Sequence, residues 1–288
     1  MKQNHEAKFE TITYSAESKL NNPVKLFKAM LHDLMKSKEL AWRLFVRDVS
    51  ARYRQSIFGI LWAFLPAIAS GLVFIILQSK KVVNFGTTDI PYPVFVLVGT
   101  TLWQVFVDSL IFPLKTVTAS KAMLAKINFP REALILSSFY DIVLNALIKF
   151  LVILGIFFIF KVPLTPGFIP GVFAILMLIL LGLSLGLLLT PLGLLYTDVS
   201  MGLTFVTQFW FFVTPVVYPP PQRFPYSLIS ILNPVSPILS TVRDLLTKGG
   251  SDQMIPFMIV GVLSCIVFLF AWLVYRLALP IIIERMSA

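Results

Sequence analysis

The chain reads as an all-α polytopic membrane protein: six transmembrane helices, an N-terminal amphipathic interfacial helix and an external re-entrant helical hairpin between spans five and six. Three observations predict this. Hydrophobic residues make up 57% of the 288 and charged residues only 13%, at a mean hydropathy of +0.86, roughly half the charge of a soluble globule. Of 38 charged residues, 17 fall in the first 56 positions. The charge-poor remainder is divided into runs of about 20 residues, the length that crosses a hydrocarbon core of roughly 30 Å. A disordered chain, a disulfide-stapled secreted module and an ordinary cytosolic enzyme are all excluded by this composition.

Residues 1–35 are expected to form a cytoplasmic leader, 36–56 the interfacial helix, 57–276 the six-span domain and 277–288 a cytoplasmic tail. No cleaved signal is expected, because 56 mostly polar residues precede the first long apolar run. The first span is Ile57 to Leu77, with Pro66 inside it and expected to kink it. The second is Pro93 to Leu114 and the third Ala133 to Phe160. Prolines 163, 166 and 170 delay the fourth to about Pro170, and Pro191 with Gly193 ends it near Leu189. The fifth runs from Val199 to Tyr218, stopped by three prolines, and the sixth from about Met254 to Tyr275.

An even number of spans puts both termini on one side, and loop charge selects the side. With the N-terminus inside, 17 of the 24 Lys and Arg residues lie in cytoplasmic segments, six lie outside and Lys149 lies within a span. The basic excess is therefore mainly a topology signal with contact to an anionic leaflet, and nucleic acid is not an expected partner.

Three segments are not plain spans. In 40–56, Ala41, Phe45, Val49 and Tyr53 recur at helical spacing while Arg43, Arg47, Ser50 and Arg54 mark another face, which predicts a helix lying on the cytoplasmic leaflet with Asp48 and Arg52 able to pair. It is either a positive-inside anchor or a docking and headgroup-binding surface. The loop 115–132 contains a helix-compatible core, Val117 to Ile127, and then Asn128-Phe129-Pro130-Arg131-Glu132, which looks like a helix start. It either presents a helix to a partner or is a solvated basic loop. Segment 219–253 holds two apolar stretches too short to cross, broken at Asn233-Pro234, which predict a re-entrant hairpin shielded by protein or a cap on the membrane surface.

The chemistry of catalysis is missing. No Gly-Lys pair occurs, so there is no P-loop; His5 and His32 both lie in the polar leader, so no zinc motif is formed; no G-x-S-x-G elbow is present. The lone Cys265 lies in an apolar run and is expected to be a small packing residue. Ionisable groups at membrane depth are the remaining candidates. Counted from the expected cytoplasmic ends, Asp108 lies about 10 Å deep, Asp141 about 13 Å and Lys149 about 25 Å. Lys149 is thus expected to be too far along to pair easily with either carboxylate. Asp141, Asn145 and Lys149 share one helix face, as packing glue, as a substrate-path lining or as part of a proton relay. The abundant aromatics, 26 of them phenylalanine, face lipid for the most part; those in a pathway would give platforms for sugar rings. Phe58, Trp62, Trp103, Phe209 and Trp210 join Asp141, Asn145 and Lys149 as conduit candidates.

The ordered set Arg52-Tyr53-Arg54, Gly59-Ile60-Leu61-Trp62-Ala63-Phe64-Leu65-Pro66, Lys126 to Glu132, Tyr196-Thr197-Asp198, Phe209 to Tyr218 and Leu232-Asn233-Pro234-Val235-Ser236-Pro237 resembles the ABC-2 type permeases that export bacterial polysaccharides. The resemblance covers about residues 36–280. It implies a homodimer in the bacterial inner membrane bound to two separate ATPase subunits, which use ATP and magnesium while this chain holds no cofactor. It assigns the 115–132 loop, with Lys115, Lys121, Lys126, Asn128, Arg131 and Glu132, to ATPase docking, and 219–253 to a pair of short external re-entrant helices. The implied substrate is a lipid-linked glycan, for whose anionic headgroup Arg43, Arg47, Arg52 and Arg54 are the candidates for first contact. Competing readings are an ABC-2 permease for a drug or simple lipid and an integral-membrane glycosyl- or acyltransferase.

Overall fold

The computed structural model describes residues 23–54, 59–82, 88–127, 129–221, 223–224 and 226–287. These form helices α1 (Pro23–Lys36), α2 (Lys38–Tyr53), a 3₁₀ turn (Gly59–Ala63), α3 (Leu65–Ser79), α4 (Tyr92–Ala119), α5 (Lys121–Lys126), α6 (Glu132–Ile159), α7 (Phe168–Leu195), α8 (Asp198–Val213), α9 (Tyr226–Leu232), α10 (Val235–Thr247) and α11 (Met254–Ser287). No strand occurs among the described residues. Four helices, α4, α6, α7 and α11, are long and apolar enough to cross a membrane.

The other two expected spans are shorter than their apolar runs. Pro66 does not kink a continuous helix. Its missing N–H is tolerated in the first turn of α3, a 15-residue helix that follows the 3₁₀ turn. α8 has 16 residues and ends at Val213, ahead of Pro215. Three spans are instead longer than expected. α4 runs past Leu114 to Ala119, and α7 continues through Pro191, because a proline forfeits one backbone bond in a helix that keeps the rest when neighbours hold it. α11 carries on past Arg276, which is drawn into an ion-pair network instead of ending the helix.

α4 is the most enclosed span and packs between α3, α6 and α7, with α11 on the far side of α7. The α4–α7 seam is set by small residues at i and i+4. A Cβ on Gly182 would sit 2.6 Å from the Ser109 Cβ, and one on Gly186 would strike the Leu110 carbonyl, so the backbones approach as in small-xxx-small membrane pairs. Gly182→Val is therefore expected to cost about 3 kcal/mol of stability. Gly155→Val, where nothing lies within 4 Å, is the control; thermal unfolding in detergent separates the two.

The first two helices are nearly one rod, bent at Ser37. α1 begins inside the expected polar leader, where Leu26 and Met30 are buried and supply an apolar face that the leader's overall polarity conceals. Phe45 and Arg52, about two turns apart on α2, meet adjacent α6 residues: the Phe45 ring lies 5.9 Å from that of Tyr140, and Arg52 lies 3.1 Å from Asp141. α2 therefore crosses α6 and lies across the bundle. Asp48 pairs with Arg47 at 2.8 Å instead of with Arg52, which the buried carboxylate of Asp141 takes.

Several ties fasten the same end of the bundle. Arg276 of α11 pairs with Glu132 at the start of α6 and with Asp33 of α1, the latter at 2.6 Å. The Tyr275 hydroxyl donates to the Arg131 carbonyl at 3.4 Å, and Lys121 of α5 donates to the Leu194 carbonyl at the end of α7 at 3.2 Å.

At the opposite end, α9 and α10 meet at the Asn233-Pro234 turn, as the break in the apolar pattern predicts. Asn233 holds it: its side-chain oxygen accepts from the Trp210 indole and the Val235 amide, and its amide donates to Thr214. α10 is buried almost end to end against α7, α11 and α4. Arg243 of α10 is fully enclosed; it donates to the carbonyls of Pro215 and Val216 at 3.1 Å and stacks 3.6 Å from the Phe95 ring centre. A clasp joins α10's end to the stretch before α4: Lys248 lies 2.6 Å from Asp89 and 3.2 Å from Asp244. The hydrogen bond and charge of Lys248 hold the exposed Asp89 carboxyl below its ordinary pKa. Partial burial opposes the Lys248 charge, but the two carboxylates outweigh it and raise the ammonium's pKa. Both charges thus persist through neutral pH; the clasp weakens as pH falls through the lowered Asp89 value or rises through the raised Lys248 value.

Candidate functional site

Two polar stripes face each other across α4 and α6. On α4 the stripe is Gln104, Asp108, Phe112 and Lys115, at spacings of four, four and three, which keeps them on one helical face. On α6 it is Asp141, Asn145 and Lys149, all buried. The helices are antiparallel, so the stripes form a ladder. Lys149 meets Asp108 and donates to the Gln104 carbonyl at its deep end, while Arg52 reaches Asp141 at its shallow end.

This pairing corrects the expectation that Lys149 lies too deep for either carboxylate. α4 runs five residues beyond its expected end at Leu114, which puts Asp108 about 7 Å deeper, and the lysine stem spans the rest. The ammonium itself is buried behind the carboxylate, which retains 25% exposure.

The 3₁₀ turn and the start of α3 close the third side with Gly59, Trp62, Ala63 and Pro66, and Arg52 and Tyr53 close the end. The result is a cavity of about 340 Å³. Its wall carries three cations, Arg52, Lys115 and Lys149, against one carboxylate, Asp108. Arg52 sits 5.2 Å from the Phe112 ring centre and Lys115 5.5 Å from it. Lys115 makes no ion pair among the described residues, so it is the cation most available to an incoming anion. Aromatic walls with cations at one end suit an amphiphile with an anionic group. Among the described residues no cluster of His, Cys, Asp or Glu could hold a metal ion.

Residues 39–247 match the ABC-2 type transporter family, a stretch that runs from the start of α2 to the end of α10 and contains every residue of this cavity. The chain belongs to the ABC-2 type transporter family. Such a permease is a membrane transport subunit and not itself an ATPase. The chain is 26% identical over 245 residues to the O-antigen export system permease protein RfbA of Myxococcus xanthus, covering 82% of this chain and 91% of the relative. It is 26% identical over 208 residues to the protein of the same name from Klebsiella pneumoniae, covering 70% and 78%.

The structure of this ABC-2 permease gathers some of the sequence-derived candidates and disperses others. Trp62, Asn145 and Lys149 line the cavity with Arg52, and Asp141 stands behind Arg52. Lys115, expected at the docking loop, lines the cavity as well. Trp103 and Trp210 belong instead to an aromatic cluster with Phe106 and Phe211, and Phe209 points outward from α8. Phe58 and Asn128 lie outside the described residues. Of the remaining headgroup candidates, Arg43 pairs with Glu39 at 2.6 Å, Arg47 pairs with Asp48, and Arg54 is exposed. On the loop, Lys126 is exposed, Lys121 and Arg131 are partly covered, and the Glu132 carboxylate is buried against Arg276.

Cys265 is on the outer surface of α11, where a membrane-spanning helix needs no inward packing partner. Gln104 and Phe112 line the cavity without having been singled out by the sequence, and Tyr53 and Pro66, noted there only for a helix face, an expected kink and the family motifs, line it too. The i, i+4 spacing of Gln104 and Asp108 in an apolar helix was the one available signal.

Proposed function

We propose that this ABC-2 permease is the transmembrane subunit of an ATP-driven exporter that carries a lipid-linked polysaccharide, of the O-antigen or capsule class, from the cytoplasmic to the external side of the bacterial inner membrane. Two copies of the chain work with two copies of a separate ATPase. Both termini and the α2 end of the bundle are cytoplasmic, in keeping with the distribution of lysine and arginine. The 3₁₀ turn with α3 makes the first of six crossings, α8 with the residues after it makes the fifth, and α9–α10 re-enter from outside.

The observation that carries this reading is the cavity beside α2. An undecaprenyl-type diphosphate headgroup arriving at the cytoplasmic surface would meet Arg52 and Lys115 first, with Trp62 and Phe112 flanking the sugar or isoprenoid. The names of the relatives favour a polysaccharide over a drug or simple lipid, and no catalytic cluster supports a transferase.

The test is removal of the chain from cells that make a lipid-linked polysaccharide, followed by complementation. Undecaprenyl-linked glycan is expected to accumulate inside and surface glycan to disappear. Lys115→Gln, which leaves no buried carboxylate orphaned, is expected to restore only about a tenth of the export seen with the native chain, at equal protein level, since a charge-assisted contact is worth roughly 1.5 kcal/mol or more. Normal surface glycan in the deletion strain would refute the substrate class; full export by Lys115→Gln would refute the headgroup site.

A further inference from the structure

Six apolar residues lie exposed along α1 and α2: Val24, Phe27, Leu31, Met35, Trp42 and Val46, each between 39% and 63% accessible. Their spacings are three, four, four, seven and four. The helical spiral passes through the bend, since Ser37 donates its N–H to the Asp33 carbonyl and Ala41 donates to that of Ser37. At about 100° per residue the six therefore fall within an arc of roughly 100°, in a stripe about 33 Å long. The neighbouring face, with Leu26, Met30, Ala41, Leu44 and Phe45, is buried. The rod is thus apolar over two adjoining arcs, only one of which the described residues cover.

Charge distinguishes the possible occupants of the open arc. Between residues 23 and 38 every exposed charged side chain is a lysine, Lys25, Lys28, Lys36 and Lys38, because the one acid, Asp33, turns inward to Arg276. Along α1 the exposed charges beside the stripe are lysines alone, and on α2 the exposed Glu39 is paired with Arg43 and Asp48 with Arg47. Such an edge complements an anionic lipid surface, the lysine stems lying along the acyl boundary while the ammonium groups reach phosphate. The position agrees. α2 lies across α6 at the level of Tyr140 and Asp141, two turns inside that helix's end, and Trp42 sits in the stripe where indoles favour the membrane interface.

We propose that α1 is a membrane-binding helix that continues the interfacial helix α2, inserting the Val24-to-Val46 stripe into the adjacent leaflet and binding anionic phospholipid through Lys25, Lys28 and Lys36. Residues 23–36 are then lipid-bound rather than part of a soluble leader. The proposal requires only that the chain is a membrane protein and stands apart from the choice of exported substrate.

Site-directed spin labelling of the full chain tests it. In a Cys265→Ser background, Phe27→Cys, Leu31→Cys, Met35→Cys and Lys25→Cys are each labelled and reconstituted in vesicles of phosphatidylethanolamine and phosphatidylglycerol. Collisions with oxygen and with a water-soluble nickel chelate are then compared. Labels at positions 27, 31 and 35 are expected to favour oxygen about threefold or more relative to the label at position 25. In vesicles without phosphatidylglycerol, or with Lys25, Lys28 and Lys36 all changed to Gln, that preference is expected to fall by at least half. Free access of the nickel chelate at positions 27, 31 and 35 overturns the proposal, because the stripe is then in water. Exclusion of both reagents overturns it in favour of a protein cover: residues 1–22, a second copy or another subunit. A preference indifferent to lipid charge and to the triple substitution overturns the assignment to anionic lipid.

Discussion

Asp108→Asn is expected to destabilise the permease by about 3–5 kcal/mol, because it removes the carboxylate that balances an ammonium with only 2% exposure. Lys149 would keep the Gln104 carbonyl as a partner but not a counter-charge. The double variant Asp108→Asn, Lys149→Met is expected to recover most of the loss, since replacing a buried pair with groups of similar volume is often neutral. Thermal unfolding in detergent measures both. The same pair distinguishes two roles left open by the sequence. If the ladder only glues α4 to α6, the double variant exports normally once folded. If the ladder lines the path, it folds but exports poorly.

Arg243→Met is the second large effect. It leaves the Pro215 and Val216 carbonyls without their donor, at about 1–3 kcal/mol each, and removes the cation from the Phe95 ring, for a total of about 3–5 kcal/mol. Arg243→Lys is expected to recover less than half of that, because the shorter, compact ammonium cannot both reach the two carbonyls that Nη1 serves and reproduce the flat guanidinium stacked on the Phe95 ring. The loss is read as a lower thermal midpoint. Equal stability of Arg243→Lys and the native chain would show that charge alone suffices.

Much of the fold is legible in the sequence because lipid imposes simple rules. Four expected spans appear as long apolar helices, and α9 and α10 follow the two short apolar stretches on either side of Asn233-Pro234. Errors cluster at prolines. Pro191, expected to end the fourth span, lies within α7, because a local rule about one missing N–H cannot register the neighbouring helices that hold the rest. Pro66, read as a kink, opens a helix instead. The site was legible by halves. Asp141, Asn145 and Lys149 share a face that spacing alone reveals, whereas the union of Lys149 with Asp108 depends on how far two antiparallel helices slide past each other. Arg243 gave no sequence signal, since an arginine in an apolar stretch too short to cross, beside Asp244 and between two spans, resembles any loop cation until its helix is seen packed inside.

The ties at the α2 end of the bundle have a mechanical meaning. The connection from α4 to α6 is bolted at both sides of its exposed tip: Lys121 fixes one side to the end of α7, while Glu132, through Arg276, fixes the other to α11 and α1. A force applied at Lys126 or Ile127 would thus meet anchors on α7, α11 and α1, and α7 would pass it along the glycine seam to α4, the wall of the cavity.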